Sequence, residues 1–350
     1  MEKLTDREIK LKQTLEQKKP IAFAKIKKFG ERLKHHESIA LMQLQYDYTC
    51  NMACTHCAIA KFRDHKGIHK LTPKDVKQIA DQADQIGLAS ICISGGEPTI
   101  FPDLEQIIQA IGPERFVLSM DTNGLKLDEA KIKWLVDHGM DRIHLSLDGL
   151  EANHNKFRRM GKINSWQHNV DLLPLCKQYG LGVVINIVTT KDLVKSKEIE
   201  QQLAFTSQFG FHTSMIYAKP VGTFEQAKNE ILVSEDLDYL ETLTKKYNCS
   251  THLTMNNGSE LGCLCFKRHF SITAWGDVLP CPWIPISMGN IFEEGLQTIL
   301  DRGLANKWFS FDHTYSCHSG NCDDEFYQKI IPQIETFTEY PVSWKKINWY

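Results

Sequence analysis

Three cysteines lie within eight residues in the first part of the chain: Cys50, Cys54 and Cys57. Their spacing is C-x3-C-x2-C, and they follow an apolar, β-rich run over residues 39–48. Several thiolates in a near-tetrahedral array select zinc or an iron–sulfur cluster. The loop holds no fourth cysteine, so a metal centre bound there would keep one position open for a reactant. The alternative is a zinc knuckle in which His56 is the fourth ligand.

A second polar motif follows the next β-rich run, residues 89–94, and consists of Gly95, Gly96 and Glu97 before a proline. Paired glycines allow a ligand to touch the bare backbone, and a carboxylate can accept hydrogen bonds from an ammonium group. The motif lies one strand and one helix after the cysteine loop. The two motifs together therefore indicate a ligand site at the ends of neighbouring strands.

This pair of motifs resembles that of the radical S-adenosylmethionine (radical SAM) superfamily. The resemblance implies that the three cysteines of the loop ligate a [4Fe-4S] cluster, whose open iron chelates S-adenosylmethionine (AdoMet). It also implies reductive cleavage of AdoMet to methionine and a 5′-deoxyadenosyl radical. Gly95, Gly96 and Glu97 match the family's GGEP motif, which is expected to bind the amine of AdoMet.

The resemblance also implies roles for polar residues that follow later strands. Ser146 is expected to bind the AdoMet carboxylate or ribose, and Arg158 to pair with the carboxylate through a bidentate contact. Arg159, one residue further on, is the alternative to Arg158. Asn186 is a candidate for the ribose hydroxyls, with an outward-facing position on its strand as the alternative. The residues that react with the substrate stay unknown at this stage.

Apolar, β-rich runs alternate with helical stretches from residue 39 to about 217. Six such runs, nearly continuous in apolar residues, predict an α/β fold with a parallel sheet and right-handed crossovers. Six βα units are too few for a closed eight-fold barrel. They fit the partial (βα)6 TIM barrel that the resemblance implies, with the active site at the carboxyl ends of the strands. Thr72 and Pro73 mark a clear helix start.

A second cysteine group begins with Cys263 and Cys281, which form C-x12-G-x4-C with the glycine at a turn. The turn predicts a hairpin that brings both sulfurs to one site. The pattern resembles the twitch or SPASM extension of radical SAM enzymes. It implies that Cys317 and Cys322 complete the ligands of a second, auxiliary [4Fe-4S] cluster.

Two alternatives stay open for this second group. Cys265 could replace Cys263 as a ligand, and four cysteines could instead hold zinc in a ribbon. The remaining cysteines, Cys92, Cys176 and Cys249, lie in apolar or connecting stretches and are not expected to bind metal.

The composition argues against proteins that bind nucleic acid, span a membrane or are secreted. The 350 residues carry a formal net charge of -2, which gives no general attraction to nucleic acid or to anionic membranes. No apolar run approaches the ~20 residues that span a bilayer, and the N-terminus lacks the apolar core of a signal peptide. We therefore expect a cytoplasmic protein, in which the cysteines serve as metal ligands or buried thiols rather than disulfides.

We predict five segments along the chain. A basic amphipathic helix in residues 1–38 is expected to cover the open end of the core, with docking of an acidic partner or a lipid surface as the alternative. The other segments are the partial barrel (39–220), a connector (221–261), the twitch/SPASM-like domain (262–325) and an aromatic tail (326–350).

The expected function is that of a radical SAM oxidoreductase. We expect oxidation, dehydrogenation or epimerisation of a small molecule such as a sugar or aminocyclitol, with a flavodoxin- or ferredoxin-type electron donor. Only about 38 residues precede the first strand, which is fewer than the leader-binding domain of peptide maturases contains. We therefore expect a small-molecule substrate, with modification of a peptide or protein side chain as the alternative. A non-catalytic zinc protein and an iron–sulfur electron carrier are the competing classes, and neither needs the GGEP motif.

Overall fold

The structure is a computed structural model that describes residues 6–63, 65, 67–158, 163–251, 261–313 and 317–350, with side chains from residue 12 onward. Arg159, the alternative to Arg158, lies outside the described residues. None of the helices in these ranges has both the length and the apolar character that crossing a membrane requires.

One nine-stranded sheet forms the centre of the fold, in the order β7-β6-β5-β4-β3-β2-β1-β8-β9. All neighbours are parallel except β8 and β9. The strands are β1 (Leu41–Asp47), β2 (Ser90–Gly95), β3 (Val117–Thr122), β4 (Arg142–Ser146), β5 (Gly182–Thr189), β6 (His212–Tyr217), β7 (Cys249–Thr251), β8 (His269–Ile272) and β9 (Val278–Leu279). The first six strands stand side by side in chain order, which confirms the predicted partial barrel.

Helices connect the parallel strands, as βαβ units require. They are α4 (Pro73–Gln85), α5 (Leu104–Ile111), α6 (Glu129–Asp137), α7 (Glu151–Phe157), α8 (Ser165–Tyr179), α9 (Lys191–Lys195), α10 (Glu198–Ser207) and α11 (Ser234–Lys246). Thr72 caps α4 through a capping box with Asp75, as predicted for its start. α9 and α10 are separate helices, because Lys197 between them adopts a left-handed conformation (φ 61°).

The strands have one apolar face and one polar face, unlike the nearly continuous apolar runs expected from the sequence. In β4, Ile143 and Leu145 are fully buried, whereas His144 and Ser146 are partly exposed. Successive side chains of a strand point to opposite faces. The apolar face belongs to the main core with the helices, and the polar face lines the concave interior of the barrel.

The basic N-terminal segment covers the end of the barrel opposite the active site. It forms three short helices, α1 (Asp6–Lys18), α2 (Pro20–Lys27) and α3 (Phe29–Lys34), rather than one. Lys19, Lys25 and Arg32 donate to backbone carbonyl groups that immediately precede β2, β3 and β4, at 2.6–3.0 Å. These contacts support the covering role, whereas docking of a partner stays a prediction.

We expect Lys19→Met to lower the free energy of unfolding by about 3 kcal/mol, as measured by urea denaturation of the apoprotein. The Lys19 ammonium group is buried and pairs with Asp141, and its loss would leave that carboxylate without its charge partner. Lys27 is the control, because its side chain is 63% exposed beside Glu16. Lys27→Met should change the free energy by less than about 0.5 kcal/mol, and an equal loss in both variants would contradict the covering role of Lys19.

The C-terminal part extends the barrel sheet and also forms a separate two-stranded sheet. β8 pairs with β1, and the antiparallel β8–β9 pair forms the predicted hairpin. β10 (Ile286–Ser287) pairs with β11 (Val342–Ser343) of the tail, so the aromatic tail packs onto the hairpin region. The remaining helices are α12 (Leu296–Ala305), α13 (Glu325–Lys329) and α14 (Ile331–Glu335). The domain boundaries stay predictions, since the sheet runs across the predicted connector.

Candidate active site

The cysteine loop, residues 50–57, leaves the carboxyl end of β1. Each of its sulfur atoms has a side-chain nitrogen of another segment 3.8–4.0 Å away: Cys50 has Asn123, Cys54 has Arg158, and Cys57 has Arg63. Burial raises the pKa of each thiol, and the two guanidinium groups counter this effect at Cys54 and Cys57. Burial outweighs these charges, so the pKa of all three loop thiols is raised, and a bound metal centre would be what holds the sulfurs as thiolates.

Gly95 and Gly96 hold the start of this loop against the end of β2. The Gly96 N–H donates to the Asp47 carbonyl oxygen at 2.7 Å. A Cβ atom at Gly95 would lie 2.1 Å from that oxygen, and one at Gly96 would lie 2.0 Å from the Thr49 oxygen. The glycines are thus required by the close approach of two backbone segments, whereas the sequence had suggested the approach of a ligand.

A second contact holds the other end of the loop, and the sequence analysis did not assign it. The Thr223 hydroxyl accepts a hydrogen bond from the Cys57 N–H at 2.8 Å, and the Thr223 N–H donates to the Cys57 carbonyl. Gly222 has φ +63°, and a Cβ atom there would lie 2.0 Å from the Cys57 oxygen. The loop after β6 therefore clamps the last cysteine of the metal-binding motif.

Glu97 is fully engaged within the protein. Its carboxylate accepts from the backbone and hydroxyl of Thr99, from the Thr122 hydroxyl and from the Asn123 N–H, at 2.6–3.2 Å. Its pKa is raised, because burial outweighs these hydrogen bonds. Glu97 thus joins the ends of β2 and β3, and contact with the amine of AdoMet stays a prediction.

Arg158 also has a partner within the protein. Its Nε donates to Asp148 at 2.6 Å, while Nη1 lies 4.0 Å from the Cys54 sulfur. Burial alone would raise the pKa of Asp148, but Arg158 and His56 hold it well below its usual range. His56 Nε2 lies 3.4 Å from the same carboxylate. Asp148, to which the sequence analysis gave no role, therefore contacts both Arg158 and His56 beside the cysteine loop.

Ser146, the last residue of β4, lies beside Asn186 in the middle of β5, and the two pair in register. Both are partly exposed on the concave face, so the outward-facing alternative for Asn186 is not what the structure has. The side chain of Asn169 donates to the Ser146 carbonyl at 2.8 Å and fixes this strand end. Their contacts with AdoMet stay predictions.

Four cysteines of the second group are buried and interact with one another: Cys263, Cys265, Cys281 and Cys317. The Cys263 and Cys265 sulfurs are 3.4 Å apart, and Cys281 interacts with Cys265. Cys317 has Cys263 and Cys281 among its electrostatic neighbours. The structure therefore brings Cys265 into the group in addition to Cys263, rather than in its place.

Cys322 is not brought to this group. It packs against a separate apolar cluster formed by Ala218, Phe224 and Ile231. Its N–H donates to the Leu232 carbonyl, which ties the segment to the residues before α11. The sequence analysis named Cys322 because it follows Cys317 closely, but the backbone between them turns its side chain to another neighbour.

Both cysteine groups offer thiolate sulfur, the donor that zinc and iron–sulfur clusters share. The Cys263 and Cys265 sulfurs are 3.4 Å apart. Within the described ranges, two other groups of donor atoms lie within 4.8 Å of one another, Cys92–Asp121–His144 and His313–His318–Asp324, and neither contains a cysteine of the loop or of the second group.

Comparison with known proteins agrees with this chemistry. The family model of the radical SAM superfamily matches residues 47–198, and that of the iron–sulfur cluster-binding domain SPASM matches residues 263–323. A GTP 3′,8-cyclase of Erythrobacter litoralis is 26% identical over 227 residues, which cover 62% of this chain and 65% of that protein. An AdoMet-dependent heme synthase of Oleidesulfovibrio alaskensis is 23% identical and covers 79% of this chain and 78% of its own length.

Solved structures share the fold. SuiB of Streptococcus suis bound to S-adenosylmethionine has a TM-score of 0.61 at 19% identity, with 90% of this chain and 75% of that chain covered. The anSMEcpe protein with bound AdoMet has a TM-score of 0.57 at 17% identity, covering 83% of this chain and 93% of that chain. The radical SAM domain implies a [4Fe-4S] cluster and AdoMet, and the SPASM domain implies auxiliary iron–sulfur binding. The chain carries a radical SAM domain at residues 47–198 and a C-terminal SPASM-type iron–sulfur cluster-binding domain at residues 263–323.

Proposed function

We propose that this protein is a radical SAM oxidoreductase that removes a hydrogen atom from a small polar molecule and completes a two-electron oxidation. Cys50, Cys54 and Cys57 hold the cluster that cleaves AdoMet. The carboxyl ends of β2, β4 and β5 bind AdoMet through Gly95, Gly96, Ser146, Arg158 and Asn186, with Glu97 ordering the first of these ends. A flavodoxin- or ferredoxin-type protein supplies the electron.

The auxiliary cluster in this proposal is held by Cys263, Cys265, Cys281 and Cys317. The observation that carries the oxidative assignment is that four buried cysteines interact with one another, and one of them, Cys265, bridges to the start of β8, which pairs with β1 of the barrel. An electron acceptor beside the barrel allows a substrate radical to lose its electron instead of recovering a hydrogen atom. Cyclisation is the other candidate reaction, because the matched proteins include GTP 3′,8-cyclases.

The alternative substrate is a peptide. The fold likeness to SuiB, which has been solved with the precursor peptide SuiA, is the observation that favours it. The identity to SuiB is 19%, so the likeness concerns the fold rather than the substrate. The polar interior of the barrel favours a small polar molecule.

The test is anaerobic reconstitution with iron and sulfide, followed by dithionite, AdoMet and a search for 5′-deoxyadenosine. We expect roughly eight irons per chain, corresponding to two [4Fe-4S] clusters. Cys54→Ala should lose about half of the iron and all nucleoside formation, because Cys54 is a ligand of the catalytic cluster only. Cys176→Ala is the control, since Cys176 lies on the buried face of α8, and this variant should leave both quantities unchanged.

Three results separate the possibilities. Nucleoside formation with roughly eight irons supports the proposal. Nucleoside formation with roughly four irons per chain would show that no auxiliary cluster is bound, and would contradict the oxidative assignment. A filled cysteine loop that yields no nucleoside would contradict the catalytic role altogether.

A further inference from the structure

A chain of four polar side chains crosses the concave interior of the barrel. The Ser271 hydroxyl donates to Gln43 Oε1 at 2.8 Å, and Gln43 Nε2 donates to Asp121 Oδ2 at 2.7 Å. Asp121 Oδ1 lies 2.7 Å from His144 Nδ1. Because β2 separates β1 from β3, Gln43 and Asp121 can meet only across the concave face. These residues therefore line the interior space and do not face the helices.

This series of hydrogen bonds determines which nitrogen of His144 can accept a proton. Asp121 is ionised: burial would raise its pKa, but hydrogen bonds from His144 and other neighbours lower it to about 2. A carboxylate only accepts, so Nδ1 of His144 carries the proton and Nε2 of the neutral ring carries a lone pair. No hydrogen bond from the described residues reaches Nε2. The two side chains are 30% and 18% exposed, so the pair is open to the interior space.

A metal ion is the rival occupant, because Cys92 Sγ lies 3.8 Å from His144 Nδ1 and completes a Cys–Asp–His group. An ion between Asp121 and His144 would hold their donor atoms about 3.3 Å apart, given zinc–ligand distances near 2.0 Å. The observed 2.7 Å is the length of a direct hydrogen bond. The geometry is that of a base oriented by a carboxylate.

The same interior space borders the second cysteine group. His269 lies beside the pair on β8, and its ring stacks on Trp283 with centroids 6.4 Å apart. The Lys219 ammonium group lies 4.6 Å from the centroid of the Trp283 ring and is a near neighbour of Cys317. A substrate held by the pair would thus lie between the carboxyl ends of the strands and the auxiliary cysteines.

We propose that the Asp121–His144 pair binds the substrate and accepts its proton. The substrate class is a polar small molecule with a hydroxyl or amino group on the carbon that loses hydrogen. This inference rests on the proposed function and names the residues and the substrate class for it.

The reaction balances as follows. The 5′-deoxyadenosyl radical takes a hydrogen atom from the carbon that bears the hydroxyl or amino group. His144 Nε2 takes the O–H or N–H proton, and the remaining electron passes to the oxidised auxiliary iron–sulfur cluster. A C=O or C=N double bond forms. Asp121 stabilises the imidazolium that results, and Gln43 positions the carboxylate.

The experiment uses reconstituted full-length protein and a panel of inositols, hexosamines and aminocyclitols with deuterium at the carbon-bound positions. The wild-type protein identifies the panel compound that raises 5′-deoxyadenosine formation and transfers deuterium to it. Asp121→Asn and His144→Gln are then compared for oxidised product per nucleoside. We expect this ratio to fall about 100-fold, the usual contribution of a general base, while deuterium transfer continues.

Two controls separate chemistry from folding. His138→Gln changes a histidine on α6 that contacts the Trp134 carbonyl and should leave the ratio unchanged. Iron content and AdoMet binding are measured for every variant. If Asp121→Asn fails to fold, Gln43→Met tests the role of the pair instead. This variant removes the hydrogen bond from Gln43 to the Asp121 carboxylate but keeps Asp121 and His144 together. The ratio of oxidised product to nucleoside should then fall by less than in His144→Gln.

The results distinguish a failure of this inference from a failure of the proposed function. An unchanged ratio in folded Asp121→Asn and His144→Gln variants would overturn the role of the pair. Nucleoside formation that no panel compound accelerates would overturn the substrate class while leaving the radical chemistry standing. Absence of nucleoside in the wild-type protein would remove the proposed function itself and this inference with it.

Discussion

Protein that carries Cys265→Ala should bind about half of the iron of the wild type, roughly four instead of eight atoms per chain. The structure buries Cys265 at 2% exposure, with its sulfur 3.4 Å from that of Cys263 and close to Cys281. Loss of one of four thiolate ligands opens an auxiliary cluster to solvent and to loss of iron. Iron analysis and electron paramagnetic resonance of the reduced protein measure the effect.

Cys322→Ala is the matched control, because the same substitution removes the cysteine that the sequence pattern had named. Cys322 packs against Ala218 and Phe224 instead of the cysteine group, so this variant should keep its iron. Both variants are also made in a protein in which Cys50, Cys54 and Cys57 are replaced by alanine. Any iron bound by that protein belongs to the auxiliary cluster, so the loss in each variant can be measured directly. If Cys322→Ala loses the iron and Cys265→Ala keeps it, the assignment from sequence spacing stands.

Gly222→Ala should remove most of the iron of the catalytic cluster while leaving the auxiliary one. An alanine Cβ would lie 2.0 Å from the Cys57 carbonyl oxygen, so the backbone that holds the last loop cysteine must move. We expect about four irons to remain per chain, with no 5′-deoxyadenosine formed. Iron content and nucleoside formation are measured on the same preparation.

Gly180→Ala separates crowding from backbone strain. Gly180 has φ +72°, close to the +63° of Gly222, but a Cβ atom there would meet nothing within 4 Å. Both substitutions therefore carry a similar conformational cost of about 1–2 kcal/mol. Gly180→Ala should keep both clusters, and equal iron loss in the two variants would show that strain alone explains the effect at Gly222.

The fold was largely predictable, because its signals are local and periodic. Apolar runs separated by helical stretches gave six strands in the right order, and the hairpin predicted for the second cysteine group is present as β8 and β9. Helix caps such as Thr72 act within one turn of chain. The two faces of each strand were harder to predict, since short strands such as β4 mix polar and apolar residues.

The candidate site was predictable only in part. The cysteine spacings and the GGEP motif are short patterns and were visible at once. The roles of the residues around them depend on partners far away in the chain. Glu97 bonds to Thr122 and Asn123, and the cysteine loop is clamped by Thr223, 166 residues after Cys57. No pattern along the chain specifies such pairs.

By itself, the sequence determined the family, the metal-binding chemistry and the partial barrel, because ligand types and spacings are local properties. Only the tertiary structure decided which cysteines gather and which polar residues meet. Cys265 joins the second group and Cys322 does not, and Asp121 meets Gln43 and His144 inside the barrel. These outcomes depend on strand register and sheet curvature, which arise from packing of the whole chain.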